Sequence, residues 1–375
     1  MNNRERMRAI MHYEAYDRMP VVSFGFWDET LQKWANEGYI SQEEAEGYAR
    51  YGDNSPADRA LMQKLGFDFN WNACAGASNF MRPAFEEEIL ETKPDGSIIK
   101  RDSQGLIVLV KPGVVSIPAE IGTSMTGREA WDEIYKHRFA YSDDRINQKM
   151  VETLLAEDPA REIPLALHCG SLYGKIRDMM GVEALSYLAA DDEDLYAEII
   201  DTVGDLAYRC AEALCKTGIK FEYAHFWEDI CFNSGPLVNP AVFMEMVGPH
   251  YKRITEMLNA HGIDIVSVDC DGKIDKLIPT WLENGVNTMF PIEVGTWGAS
   301  IAPWREKYGK ALRGVGGMDK RVFAKDRAAV DAEIERLQKL VDLGGYIPCP
   351  DHRIAPDAKF ELVQYYCEQF RKKIR

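Results

Sequence analysis

Ile263-Asp264-Ile265-Val266-Ser267-Val268-Asp269-Cys270-Asp271-Gly272 opens as a short apolar, β-branched run. That is the pattern of a buried parallel strand. It then breaks into an acidic turn that carries a thiol. A buried strand ending in Asp-Cys-Asp-Gly presents polar groups at its C-terminal tip, and in α/β folds that tip is where chemistry is placed. The rest of the chain reads as scaffold and partners for this tip.

Outward from it, further strands are predicted at residues 20–24, 67–71, 163–168, 220–225, 288–292, 311–316 and 345–349. Helical patterns lie between most of them, at residues 3–12, 192–216, 239–262, 275–283, 304–308, 327–342 and 360–373. Ser55-Pro56 opens another helix that Gly66 closes, an N-cap, first-turn proline and C′ glycine. Strands alternating with helices give a parallel sheet with right-handed crossovers. Eight strands, counting residues 263–268 as the fifth, predict a closed (β/α)8 barrel. Residues from about 74 to 150 break the rhythm and read as a β-meander with an Asp95-Gly96 turn. The expectation is a single barrel domain over residues 1–375, with an N-terminal extension and this insertion at one end.

The chain has 375 residues, 46% of them hydrophobic and 11% aromatic, enough for a large core. No internal repeat or low-complexity tract is visible. A net charge of −16 argues against binding nucleic acid, which asks for a basic face, and against docking on anionic lipid. The N-terminus, Met1-Asn2-Asn3-Arg4-Glu5-Arg6-Met7, has no apolar signal region, and no run is apolar enough to span a membrane. The expected compartment is the cytoplasm. The 8 cysteines are scattered without a CxxC pair, so a disulfide framework is not expected.

In a barrel, the residues that matter are the polar ones just after each strand. Here they are Trp27 and Asp28; Asn70; His168; His225, Glu228 and Asp229; Asp269, Cys270 and Asp271; Glu293; Asp319; and Cys349, Asp351 and His352. Thiolates, imidazoles and carboxylates converging on one mouth are the usual ligands of zinc. Two ordinary buried thiols are the plain alternative.

At this point the chain resembles the uroporphyrinogen decarboxylase superfamily, and within it the corrinoid-dependent methyltransferase branch. The likeness runs over nearly the whole chain. It rests on residues 174–183 (GKIRDMMGVE), Trp227-Glu228-Asp229, residues 235–240 (GPLVNP), Pro291-Ile292-Glu293, residues 316–320 (GGMDK) and residues 344–352 (GGYIPCPDH). Zinc methyltransferases of this branch use a His-x-Cys motif after one strand and a second Cys after the last. Cys270 and Cys349 fall where those cysteines would be, while Val268 occupies the histidine position. The resemblance therefore implies zinc on Cys270, Cys349 and a replacement ligand. Glu228 is the first choice, with Glu293, Asp269 or His225 as alternatives. The other reading of Glu228 is a carboxylate hydrogen-bonded to neighbouring backbone.

The implied reaction moves a methyl group from a methoxylated, aromatic donor to the Co(I) corrinoid of a partner protein. The chain has no Asp-x-His-x-x-Gly stretch of its own to hold a corrinoid. Zinc would stabilise the leaving oxygen. His168, His225 or His352 would protonate it, with Asp269 of the acidic tip counted among the catalytic groups. Phe26 and Trp27 would stack on the donor, and Asp319 would contact it. The segment after the first strand, Phe24-Gly25-Phe26-Trp27-Asp28-Glu29, lacks the arginine with which true decarboxylases grip their polyanion. Decarboxylation, a second-step transfer to a thiol, and a non-catalytic binding barrel remain the alternatives, and a homodimer is left open.

Overall fold

The computed structural model describes residues 1–112 and 118–374. Eight parallel staves surround the core. They are β1 (Val22–Ser23), β2 in two pieces (Phe69–Asn70 and Cys74–Gly76), β3 (Ala166–Gly170), β4 (Tyr223–Trp227), β5 (Val266–Asp269), β6 (Thr288–Ile292), β7 (Arg313–Met318) and β8 (Tyr346–Pro350). The second piece of β2 and β3 to β8 form one seven-stranded parallel sheet in chain order. The first piece of β2 pairs with β1, and Phe26, beyond β1, bridges in parallel to Ile354, beyond β8. The sheet thus returns on itself, and the expected (β/α)8 barrel is what the chain forms.

The order follows from the sequence. Strands buried on both faces read as continuous apolar runs, and the amphipathic helices between them, such as Glu193–Cys215, Arg327–Val341 and Phe360–Lys373, cover the outside. The helix at Pro56–Leu65 has the expected ends. The Ser55 hydroxyl accepts from the Asp58 N–H, and Gly66 is left-handed at φ 95°. Glu88–Thr92, Ile98–Arg101, Leu106–Val110 and Ala119–Thr123 form a four-stranded antiparallel meander. Two expectations need correction. Cys74–Gly76 belongs to the barrel, pairing with β3, because the second stave turns at Trp71-Asn72 and resumes. The strands also run further than expected: β3, β4 and β5 end at Gly170, Trp227 and Asp269. His168 and His225, expected as the last residues of their strands, therefore lie inside them. No helix of the described residues is long and apolar enough to cross a membrane.

Glu228, one residue past β4, ties two neighbouring staves together. Its buried carboxylate accepts from the backbone N–H groups of Leu172 (2.8 Å), Tyr173 (2.9 Å) and Gly174 (2.7 Å), and from the hydroxyls of Ser171 (2.9 Å) and Tyr251. The loop after β3 is thereby fixed to the end of β4, and the negative charge faces the start of the helix Gly174–Met180. Burial pushes its pKa up, and the hydroxyl and N–H donors pull against that shift. The three backbone N–H groups can only donate, and they favour the carboxylate over the acid. A Cβ on Gly174 would stand 1.8 Å from the Glu228 carbonyl oxygen, so only glycine permits this approach.

A second buried carboxylate is less well served. Asp58 Oδ2 accepts from Asn54 N–H (2.8 Å) and Asn70 Nδ2 (3.2 Å), while Oδ1 is buried without a partner. Burial pushes this acid up to about 6 from its ordinary 3.8.

Two outcomes follow from these carboxylates. Glu228→Ala leaves buried N–H groups unpaired, and urea unfolding should read a loss of about 3–5 kcal/mol; a loss below about 1 kcal/mol would mean that water replaces the carboxylate. For Asp58, the folded pKa lies above the unfolded one, so its protonated form stabilises the fold at low pH and that contribution is lost as pH rises through about 6. Asp58→Asn should therefore raise stability by about 2 kcal/mol at pH 7.5 and hardly at all at pH 4. An equal gain at both pH values would refute the assignment.

Candidate active site

The C-terminal ends of the staves surround a cavity of about 290 Å³. Side chains alternate across a strand, and this decides what reaches it. From β4 and beyond, His225, Trp227 and Asp229 line the cavity; from the tip of β5, Asp269 and Asp271 do. The intervening residues face the other way. Phe226 packs on Tyr251 at 5.0 Å between ring centroids, Glu228 bonds the same tyrosine, and the Cys270 sulfur accepts from Ile230 N–H at 3.4 Å. Asp229 holds a left-handed backbone at φ 52°, which Asp tolerates better than most residues. Its Oδ1 accepts from the Asp271 N–H at 2.9 Å. Gly272, at φ 86°, lies against the Cys231 carbonyl, where a Cβ would come within 2.5 Å.

Among the described residues, the only set of three or more His, Cys, Asp or Glu side chains whose ligand atoms lie within 4.8 Å of one another is Asp229, Asp269 and Asp271. Two unit charges about 4.8 Å apart repel by roughly 3 kcal/mol at an effective dielectric near 20. Burial, with the Asp271 charge added, pushes Asp229 up to about 6 and Asp269 well above the ordinary carboxylate range. Arg353 also lines the cavity, but its guanidinium is held by Asp53 and by the Tyr48 hydroxyl (2.9 Å).

The cavity histidines differ in their fittings. His168 accepts at Nδ1 from the Gly170 N–H (3.1 Å). Burial holds its pKa down, to about 4, so the neutral ring carries its proton on Nε2. His225 sits 6.2 Å from it between ring centroids. Burial and the His168 ring beside it lower its pKa to about 3. Its Nδ1 is buried without a partner, and its Nε2 stands 4.0 Å from Asp269 Oδ2. His352 Nε2 is 3.2 Å from Asp271 Oδ2, and Trp27, 44% exposed, stacks on the His352 ring at 5.5 Å.

His168, His225, His352, Asp269 and Trp27 thus meet at one cavity, as the sequence suggested. The others do not. Phe26 packs between Trp34 and Tyr48, at 5.7 Å from each ring. Asp319 caps the turn Lys320–Ala324 and is held by Arg321 at 2.8 and 2.9 Å. Glu293 accepts from Gly272 N–H and the Thr296 hydroxyl; burial and the Asp271 charge push it up.

The expected zinc set does not fit. Glu228, Cys270 and Cys349 are not gathered into one donor cluster, and Glu228 spends its oxygens on five donors. Burial pushes both thiols well up, and neither lines the cavity. The strand-tip reading pointed to Asp229 and Asp271 without choosing them, and it missed Arg353, Asp53, Cys74 and Trp227, which also line the cavity. Parity along β4 and β5 is the signal that would have separated acids from thiol.

Several known proteins resemble this chain. A methyltransferase from Methanosarcina mazei superposes with a TM-score of 0.62 at 14% identity, covering 99% of both chains. A B12-independent methionine synthase from Shewanella sp. W3-18-1, in complex with selenomethionine, gives 0.50 at 11% identity, covering 95% of this chain and 99% of the other. These likenesses are of fold. No curated protein matches in sequence. Residues 148–373 match the family described as Uroporphyrinogen decarboxylase (URO-D), and the chain belongs to that family.

Proposed function

We propose that this protein is a methyltransferase that takes a methyl group from a methoxylated, aromatic donor bound in the barrel mouth and passes it to the corrinoid of a partner protein. The observation that carries the reading is the lining of the cavity. Four aspartates, Asp53, Asp229, Asp269 and Asp271, face it with one arginine, Arg353, whose charge Asp53 already takes. Such a surface repels the several carboxylates of a uroporphyrinogen-like polyanion. Trp27 offers a flat apolar face instead, suited to a neutral ring, while Trp227 carries Lys175 Nζ at 4.5 Å over its ring. The likeness to the methyltransferase from Methanosarcina mazei supports the same class of reaction.

In this reading Trp27, already stacked on His352, holds one face of the donor ring. His168 offers its Nε2–H to the ether oxygen, where charge develops as the methyl group leaves. Burial keeps that ring neutral, so it is a fixed hydrogen-bond donor at physiological pH. The methyl acceptor, a Co(I) corrinoid, would be brought by the partner. The Trp27 rim is the open side of the cavity from which such a partner would approach.

The test is incubation of the protein with cob(I)alamin and a panel of methoxybenzenes, following methylcob(III)alamin by its absorbance. Methyl transfer is expected with the aryl ethers. Release of coproporphyrinogen from uroporphyrinogen, with no methyl transfer, would overturn the reading. With an active donor, Trp27→Ala should raise KM about tenfold with little change in kcat. His168→Leu should lower kcat about 100-fold, as the loss of one donor to a developing oxyanion does.

A further inference from the structure

We propose that the outer wall of the barrel, beside the broken second stave, holds an effector site for a small apolar amino acid, with its amine against Asp58 and its carboxylate against Arg59. Two adjoining cavities of about 280 and 390 Å³ lie there and share Asn54, Arg59 and Ile163. Small-molecule sites begin near this size, at about 300 Å³. The space lies where the stave breaks. Asn72 and Cys74 line the mouth, whereas Asn70 and Ala73 line the smaller outer cavity. Met62 of the helix Pro56–Leu65 and Leu154 of the helix Gln148–Glu157 supply apolar walls.

Two charges narrow the choice of occupant. Asp58, 1% exposed, lines the smaller cavity, and its Oδ1 is buried without a partner. Burial pushes the acid up only to about 6, so it is an anion at pH 7.5. Buried polar atoms are normally hydrogen-bonded, and a protonated amine is the donor that a lone carboxylate oxygen takes best. Arg59, next in the chain, is exposed and lines both cavities. Its guanidinium makes no hydrogen bond or ion pair among the described residues, and its fork matches a carboxylate. The charged neighbours Asp68 and Arg161 are already paired, with Arg18 and Arg371 and with Asp158 and Glu222. Glu157 and Glu162 line only the larger cavity, which Asp58 does not reach. An amino acid carries opposite charges on neighbouring groups, as Asp58 and Arg59 present them, and Met62, Phe67 and Ile163 would receive its side chain.

Neither cavity is lined by a histidine, cysteine, serine or lysine, so the site is built for binding and not for reaction. It is nevertheless joined to the mouth. Asn70 Nδ2 donates to Asp58 Oδ2 at 3.2 Å and to Asp53 Oδ1 at 3.0 Å. Asp53 in turn holds Arg353, and both line the mouth cavity. An amine drawn to Asp58 therefore pulls on a chain of hydrogen-bonded side chains that ends beside the acids of the mouth.

Calorimetric titration of the full chain at pH 7.5 with L-leucine and L-phenylalanine tests the site, and it reads binding without reference to methyl transfer. Saturable binding of a single molecule per chain is expected. Asp58→Asn, which the empty fold should tolerate, and Arg59→Ala, at an exposed position, should each weaken it about tenfold or more. Phenethylamine and hydrocinnamate, which each keep one charge of phenylalanine, should bind about tenfold more weakly than phenylalanine itself. Trp27→Ala, at the mouth, should leave binding unchanged. Thermal melting confirms that each variant is folded. Saturation with leucine should also shift the Arg353 Nε–H resonance, assigned with Arg353→Lys. The proposal is overturned if neither amino acid binds below about 10 mM, if binding survives Asp58→Asn, if Trp27→Ala abolishes it, or if phenethylamine binds as well as phenylalanine. An unmoved Arg353 signal at saturation overturns the link to the mouth.

Discussion

The Glu228 carboxylate fixes the geometry of the mouth. It receives three consecutive backbone N–H groups from the loop after β3 and a hydroxyl from a helix behind β4. A buried anion with all its lone pairs engaged is rigid and costly to disturb. One residue on, the chain turns through the left-handed Asp229, whose carboxylate then meets the tip of β5. The acids of the cavity are thus placed by a group that never enters it.

Alternation along the strands does the sorting. On β5, Asp269 and Asp271 look into the barrel while Cys270 looks back toward Ile230. The comparison with a His-x-Cys motif put Cys270 forward as a ligand, with Val268 as the missing histidine two residues earlier. In the structure the facing pair, also two apart, is Asp269 and Asp271. The composition of the tip was legible in the sequence, and parity puts Asp269 and Asp271 on one face with Cys270 on the other; which of the two faces meets the cavity was not legible, because the register of β5 in the sheet decides it.

The barrel itself could be read from periodicity. Apolar runs marked the buried staves, and Ser55-Pro56 and Gly66 marked a helix to the residue. The second stave was half hidden, because it breaks at Trp71-Asn72 and its later piece, Cys74–Gly76, is short and weakly apolar. Aromatic residues near the mouth were equally ambiguous. Trp27 and Phe26 are neighbours, yet one stacks on His352 at the rim and the other is sealed between Trp34 and Tyr48. Only the packing of distant helices separates them, and local sequence does not carry that information.

The arrangement of β5 has a consequence for how such a site could change its chemistry over time. Sulfur and oxygen donors sit on adjacent residues of one strand, on opposite faces. A one-residue bulge before Asp269 would present Cys270 to the barrel and turn both carboxylates away, with no substitution at all. Hard and soft ligand fields are therefore neighbours in register here, and a lineage could pass from one to the other through a single insertion or deletion.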